Sequence, residues 1–518
     1  MNNNTRILWV DDEIDLLKPH IMFLQNKGYE VDTLNNGVDA IDKVKTINYD
    51  VIFLDENMPG LTGLETLVQI KQLKPHVPVV MITKSEEEHI MEDAIGNQIA
   101  DYLIKPVNSS QILLSLKKLL EGKQLVTEKT TQTYQQEFRQ LSMEMYDIKD
   151  FYGWANLYKK LVNWEITLSQ SGDTGMDEVL AMQKRDANNG WCKFIEDNYL
   201  NFLNKPDDHT PAMSHTVFKK KLQPVINDDT PVFLLVIDNF RFDQWKVIEP
   251  IISEYFTVKS EDVYMSILPT TTHYARNSLF AGILPSEIEK IYPNLWVNEE
   301  DEEGKNIHEE DLFARHLQRL GIKDKFTYNK ITNLNAGKDL VDKIPNLFSN
   351  RINVIVYNFV DMLSHARTEM NVMKELAEDE AAYRSITKSW FDHSPLFDAI
   401  KRMAQKKAKL VITTDHGSIR VKDPVKIIGD RSTSTNLRYK QGKNLSYNAN
   451  ELFTIKKPEL AHLPKQNIST TFVFARGEDF MAYPNNFNYH VNMYSNSFQH
   501  GGISLEEMIV PFVVLETK

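Results

Sequence analysis

The chain has 518 residues, which at roughly 100–200 residues per domain predicts three or so domains with ample core. Its formal net charge of −13 argues against a protein living on the phosphate backbone of DNA, because counterion release needs clustered Lys and Arg; a divalent metal would still let it take a phosphate substrate. The one cysteine, Cys192, excludes an intrachain disulfide, and no run approaches the about 20 apolar residues of a membrane span, so a reducing cytoplasm is expected.

From Arg6 to about Glu121 strand and helix patterns alternate, as in an α/β fold with a parallel sheet. RILWVDD reads as a strand ending in paired acids and Val31–Thr33 as a short second strand. YDVIFLDENMPG runs to Asp55, VPVVMIT to Thr83, and ADYLIKP to Lys105 and Pro106. Ligands of such sheets sit at strand ends, so Asp11, Asp12, Asp55, Thr83 and Lys105 are predicted to share one edge. Three carboxylates suit Mg²⁺, and one of them, Asp55, can attack a phosphoryl donor. A hydroxyl and an ammonium can then hold the phosphoryl oxygens.

This segment resembles the receiver domain of two-component response regulators: DD, DENMPG, T and KP each follow the expected strand. The resemblance implies a flavodoxin-like domain over 1–122, phosphorylation of Asp55, Mg²⁺ on Asp11, Asp12 and Asp55, and switching through Thr83, Tyr102 and Lys105.

From about Lys123 to Leu203 apolar and aromatic residues recur at helical spacing with no proline. A helical connector is expected over 123–208, with a turn at SGDTG, Ser171–Gly175, and with Cys192 a small buried hydrophobe. No basic helix-turn-helix is present, which leaves promoter binding without a carrier. Lys205–His215 reads as a surface linker.

Next, VFLLVI is a buried strand ending in Asp238, followed by the helix FRFDQWKVIEPII. VYMSILPTTTHYARNSLFAG reads as a strand, a threonine-rich turn and a helix start. NVIVYNF is another strand, with Asp361 and His365 just beyond it on one face of a turn or helix start. AKLVITTDHGS is a strand that ends abruptly in Asp415 and His416, an oxygen and imidazole pair that suits zinc, with Gly417 expected to permit a sharp turn. HGGISLEEMIVPFVVL places His500 ahead of a helix and a last apolar strand. The inventory is what two zinc ions and a metal-bound hydroxyl nucleophile need for displacement at phosphorus.

These positions resemble the alkaline phosphatase superfamily, and within it the PglZ domains, over 209–518. The resemblance implies an alkaline-phosphatase-like α/β fold with one zinc on Asp361, His365 and His500 and another on Asp238, Asp415 and His416. A threonine nucleophile is implied too, at Thr270, Thr271 or Thr272; counting back from Gly282 favours Thr272, with Thr271 the runner-up. The asparagine after Asp238, where the family pattern has glycine, is a departure that touches the turn.

NEEDEEGKN, Asn298–Asn306, reads as a solvated acidic turn and KRMAQKKAK as an exposed helix end, and His308 and His393 are given no role. The stretch Asp430–Asn444 carries Arg431, Arg438 and Lys440, candidates to close over an anionic substrate.

The domain order resembles a family of response regulators associated with type IX secretion in Bacteroidota. That implies a sensor histidine kinase as phosphodonor, a homodimer on phosphorylation, and control through a sigma factor of the extracytoplasmic-function type. With the superfamily resemblance, whose nucleotide phosphodiesterase branch uses threonine, the expected output is a phosphorylation-regulated, zinc-dependent phosphodiesterase, Thr272 included in its zinc site, acting on nucleotides or short oligonucleotides. The alternative is a non-catalytic, metal-stabilised module that docks a sigma factor or secretion component.

Overall fold

The computed structural model describes residues 5–84, 99–171, 176–299, 301, 304–358, 379–430, 433–465 and 467–518. Asp361, His365, Arg431 and most of the expected turn at 171–175 therefore lie outside the described residues. The chain divides into two compact units, Met1–Thr133 and Tyr134–Lys518.

The first unit holds β1 (Arg6–Val10), β2 (Glu30–Leu34), β3 (Val51–Asp55), β4 (Val79–Thr83) and β5 (Asp101–Ile104). They form a fully parallel sheet in the order β2-β1-β3-β4-β5, the flavodoxin-like winding. β1 and β3 are near-continuous apolar runs because helices cover both faces; one face packs Leu8, Ile52 and Leu67, the other Trp9, Phe53 and Ile112. Helix Gly63–Leu73 starts in a capping box between Thr62 and Glu65, directly behind the β3 loop that bears Asp55.

In the second unit, helices Phe151–Ser171 and Asp177–Asn204 share one hydrophobic core with the α/β part. Trp154, Trp191 and Phe194 form an aromatic cluster in it, and buried Cys192 donates to the Ile503 carbonyl. Ion pairs reinforce this packing: Glu165 accepts from Lys184 at 2.8 Å and from Arg384 at 2.9 Å, and Arg384 reaches Asp243 at 3.3 Å. Asp243 also binds Arg241 at 2.6 Å. The expected surface linker is only half correct. Lys205–His209 is exposed, but Thr210–Ser214 is buried, because Met213 bridges to Met265 and the Ala212 carbonyl accepts the Met265 N–H.

The central sheet is built from β6 (Val232–Ile237), β7 (Phe256–Met265), β8 (Phe326–Ile331), β9 (Ile352–Tyr357), β10 (Lys409–Thr413) and the C-terminal strand Ile509–Thr517. Its order is β7, the C-terminal strand, β10, β6, β9, β8. β10, β6, β9 and β8 are parallel, while the C-terminal strand runs antiparallel to β10 and β7. Thr413 pairs with Val236, so the second residue beyond each, Asp415 and Asp238, emerge side by side.

Candidate phosphoacceptor and metal sites

In the first unit one ligand atom each from Asp11, Asp12 and Asp55 lie within 4.8 Å of one another, with Asp11 and Asp55 buried and Asp12 exposed. Lys105 reaches in from the end of β5, 2.9 Å from Asp11 Oδ2 and 2.8 Å from Asp55 Oδ1. Burial pushes the Asp55 carboxyl up, and the hydrogen bond from Lys105 opposes it. Burial disfavours the Lys105 ammonium, but the Asp55 and Asp11 contacts outweigh this and raise its pKa. The Lys105 N–H donates to the Thr83 carbonyl at 2.8 Å, which sets buried Thr83 beside it; Tyr102 on β5 is 40% exposed. Sequence reasoning passed over Glu56, which is buried next to Asp55 and whose carboxyl burial pushes up to about 7.

In the second unit Asp238, Asp415 and His416, all buried, bring one ligand atom each within 4.8 Å. His416 Nδ1 faces the Gly417 carbonyl at 3.0 Å, which assigns the proton there and leaves the Nε2 lone pair facing the acids. Nε2 lies 3.8 Å from Asp238 Oδ1 and 3.6 Å from Asp415 Oδ2. Asp415 Oδ2 is buried without a hydrogen bond among the described residues. Burial pushes the Asp415 carboxyl up; His416 opposes this and Asp238 adds to it. An orphaned buried carboxylate oxygen, a second acid and an imidazole lone pair form a donor set that fits zinc.

Thr414 locks the two strand ends together, accepting the Phe240 N–H at 3.0 Å and donating to the His416 carbonyl at 2.9 Å. Asn239 takes the left-handed φ of 60° that asparagine tolerates, which accounts for the missing glycine. Gly417 has no left-handed φ; a Cβ there would stand 2.0 Å from the Glu506 carbonyl oxygen, so close packing rather than a sharp turn requires it.

The three threonines separate cleanly. Thr270 Oγ1 donates to the Gly502 carbonyl at 2.9 Å and accepts the Gly501 N–H at 3.0 Å. Thr271 Oγ1 is buried with no hydrogen bond among the described residues. Thr272 opens a single π-helical turn, Thr272–Arg276, and its Oγ1 lies 3.2 Å from both Asp238 Oδ1 and His416 Nε2. His500 stacks on His416 with ring centroids 4.3 Å apart, and its Nδ1 faces the Thr270 carbonyl at 3.2 Å.

Other expectations change. Arg438 and Lys440 do not close over the site: Arg438 is fully buried against Glu507, and Lys440 is buried with its ammonium on the Ser434 carbonyl. Glu299 of the expected solvated turn accepts from Tyr439 at 3.0 Å and lies 3.1 Å from His273 Nδ1, tying that loop to the Thr272–Arg276 turn. Sequence reasoning passes over Arg276, whose Nη1 lies 3.0 Å from Asp238 Oδ2 and whose Nε donates to Glu309 Oε1 at 2.7 Å, and Asn306, which donates to the Thr272 carbonyl at 2.9 Å; a lone arginine in the apolar stretch after Thr272 is the usable signal.

Fold and sites together define a two-component receiver joined to an alkaline-phosphatase-like domain. Three family models match in chain order: the response regulator receiver domain at 7–117, the PorX response regulator linker domain at 124–203, and the BREX system PglZ alkaline phosphatase-like domain at 217–515. The chain belongs to the PglZ family, whose model matches more than half of it, and the three matches together have the PorX architecture. Curated relatives include the transcriptional regulatory proteins ResD of Bacillus subtilis, 37% identical over 23% of this chain and 49% of its own length, and ZraR of Klebsiella oxytoca, 33% identical over 26% and 30%. The chain thus spans about half or less of the length of these relatives. Among solved structures, chemotaxis protein CheY4 of Vibrio cholerae is 29% identical, covering 23% of this chain and 99% of its own at a TM-score of 0.22. Response regulator TrrA of Thermotoga maritima, with magnesium and beryllium fluoride, is 34% identical, covering 22% and 99% at 0.21. The receiver implies a phosphodonor such as a histidine kinase. No helix among the described residues is long and apolar enough to cross a membrane.

Proposed function

We propose that this chain is a zinc-dependent phosphodiesterase whose activity is controlled by phosphorylation of Asp55. The observation that carries the reading is the placement of Thr272 Oγ1, partly open to solvent, 3.2 Å from both Asp238 Oδ1 and His416 Nε2. Asp238, Asp415 and His416 would hold one zinc and His500, with Asp361 and His365, a second. Zinc bound there supplies Lewis acidity to the threonine hydroxyl and to the phosphoryl oxygens. Thr272 presents its hydroxyl as the nucleophile, and the cage of Asp238 and His416 fixes its direction of attack. Nucleotides or short oligonucleotides are the substrates that the superfamily resemblance favours.

In the receiver, Asp11, Asp12 and Asp55 would hold Mg²⁺, Asp55 would accept the phosphoryl group, and Lys105 and Thr83 would hold its oxygens. Tyr102, on the exposed side of β5, belongs to the switching surface that drives dimerisation. The PorX architecture supports a cytoplasmic regulator of type IX secretion acting through a sigma factor.

The test is product release from bis-p-nitrophenyl phosphate and short oligonucleotides, with zinc content, in wild type and Thr272→Ala, each with and without beryllofluoride. Zinc-dependent turnover lost in Thr272→Ala, with zinc still bound, supports the hydrolase. Bound zinc without turnover on any diester instead makes the domain a metal-stabilised docking module.

A further inference from the structure

We infer that Arg276, anchored by Glu309, is a positioning residue that leaves Asp238 one oxygen with which to bind metal. The inference rests on the zinc reading above and specifies how its carboxylate ligand is aimed.

The two oxygens of Asp238 face different groups. Oδ1 points at Thr272 Oγ1 and His416 Nε2, at 3.2 and 3.8 Å, whereas Oδ2 lies 3.0 Å from Arg276 Nη1. Arg276 is fully buried and stays charged: burial opposes this, and Asp238 and Glu309 prevail. Its Nε donates to Glu309 Oε1 at 2.7 Å, and Glu309 Oε2 accepts from Lys330 at 2.9 Å and from the Tyr328 hydroxyl. Glu309 thus holds the guanidinium on Asp238 Oδ2, with its Nε 3.9 Å from Asp415 Oδ2.

The same segment steadies the nucleophile. Asn306 Nδ2 donates to the Thr272 carbonyl at 2.9 Å, and Lys330 donates to the Asn306 carbonyl at 2.7 Å. Residues 306–309 therefore grip the Thr272–Arg276 turn at both ends, one by its backbone and one by its guanidinium.

A carboxylate with one oxygen held by arginine would offer the other to a metal, and zinc sites take such single carboxylate oxygens. Partners behind the ligands set both orientation and affinity, and losing one typically costs about 10–100-fold in metal affinity. Lysine is a compact point charge on a flexible stem and does not reproduce the two-sided grip of Arg276.

The experiment uses the full chain in wild type, Arg276→Lys, Glu309→Gln, Tyr328→Phe and Asp415→Asn. Zinc affinity is measured by competition with a chromogenic chelator, and the visible absorption of the Co²⁺-loaded protein reports coordination number. Arg276→Lys is expected to bind zinc about 10–100-fold more weakly and, with Oδ2 released to chelate, to lose Co²⁺ absorption intensity as coordination expands. Tyr328→Phe, which removes one hydrogen bond to Glu309, keeps the test alive if the charge variants fail to fold and is expected to show a few-fold loss. Wild-type affinity and spectra in Arg276→Lys, Glu309→Gln and Tyr328→Phe, with zinc lost in Asp415→Asn, overturn the inference and leave the metal site standing. If Asp415→Asn binds zinc as wild type does, the zinc reading itself falls, and the inference with it.

Discussion

Arg438 Nη2 and Glu507 Oε2 lie 2.6 Å apart, and neither side chain reaches solvent. Glu507 also accepts the Gly502 N–H at 2.9 Å and the Ser504 hydroxyl at 2.7 Å, so this pair braces the loop that carries His500. Replacing Arg438 by Met strands a buried carboxylate and is expected to cost about 3–5 kcal/mol. Arg438→Met with Glu507→Gln should recover most of that loss in a double-mutant cycle by urea unfolding.

Thr271 and Thr270 are expected to respond oppositely to valine. The Thr271 hydroxyl is buried with no hydrogen bond among the described residues, so Thr271→Val removes a desolvated polar group and should leave stability unchanged or higher by up to about 1 kcal/mol. Thr270→Val leaves the Gly501 N–H unpaired and should cost about 1–3 kcal/mol. Thermal melts check both, and diester hydrolysis should survive Thr271→Val.

Lys440 makes stability depend on pH in an unusual window. Burial pushes its ammonium down to about 8, while the unfolded chain keeps the proton to about 10.4. Between those values the unfolded state binds more protons, so stability rises with pH through the window, by up to about 3 kcal/mol. Below pH 8 the folded state carries the full cost of burying the charge. Unfolding at pH 7 and pH 9.5 should show the rise in wild type and its loss in Lys440→Met.

Asp55→Asn should take no acid-labile phosphoryl label from acetyl phosphate and Mg²⁺. Lys105→Met should lower label stability, because the cation 2.8 Å from Asp55 Oδ1 is gone. Phos-tag electrophoresis over a time course reads both.

The sequence by itself determined the residues whose position follows from local chain signals. Apolar runs that stop at acids, a lysine or a histidine mark the ends of parallel strands, and a parallel sheet delivers those ends to one edge. Asp11, Asp55 and Lys105 were legible in this way, as were Asp238, Asp415 and His416. Tertiary structure decided what depends on contacts between distant segments. It separated Thr272 from its two neighbours, because only packing against β6 and β10 shows which hydroxyl faces Asp238 and His416. It buried Arg438 and Lys440, whose charge in a polar stretch reads as surface until Glu507 and the Ser434 carbonyl are seen beside them. It also brought Glu309, 33 residues along the chain, onto Arg276. A burial cost is offset only by a specific partner, and the identity of that partner is fixed by the fold rather than by neighbouring residues in the sequence.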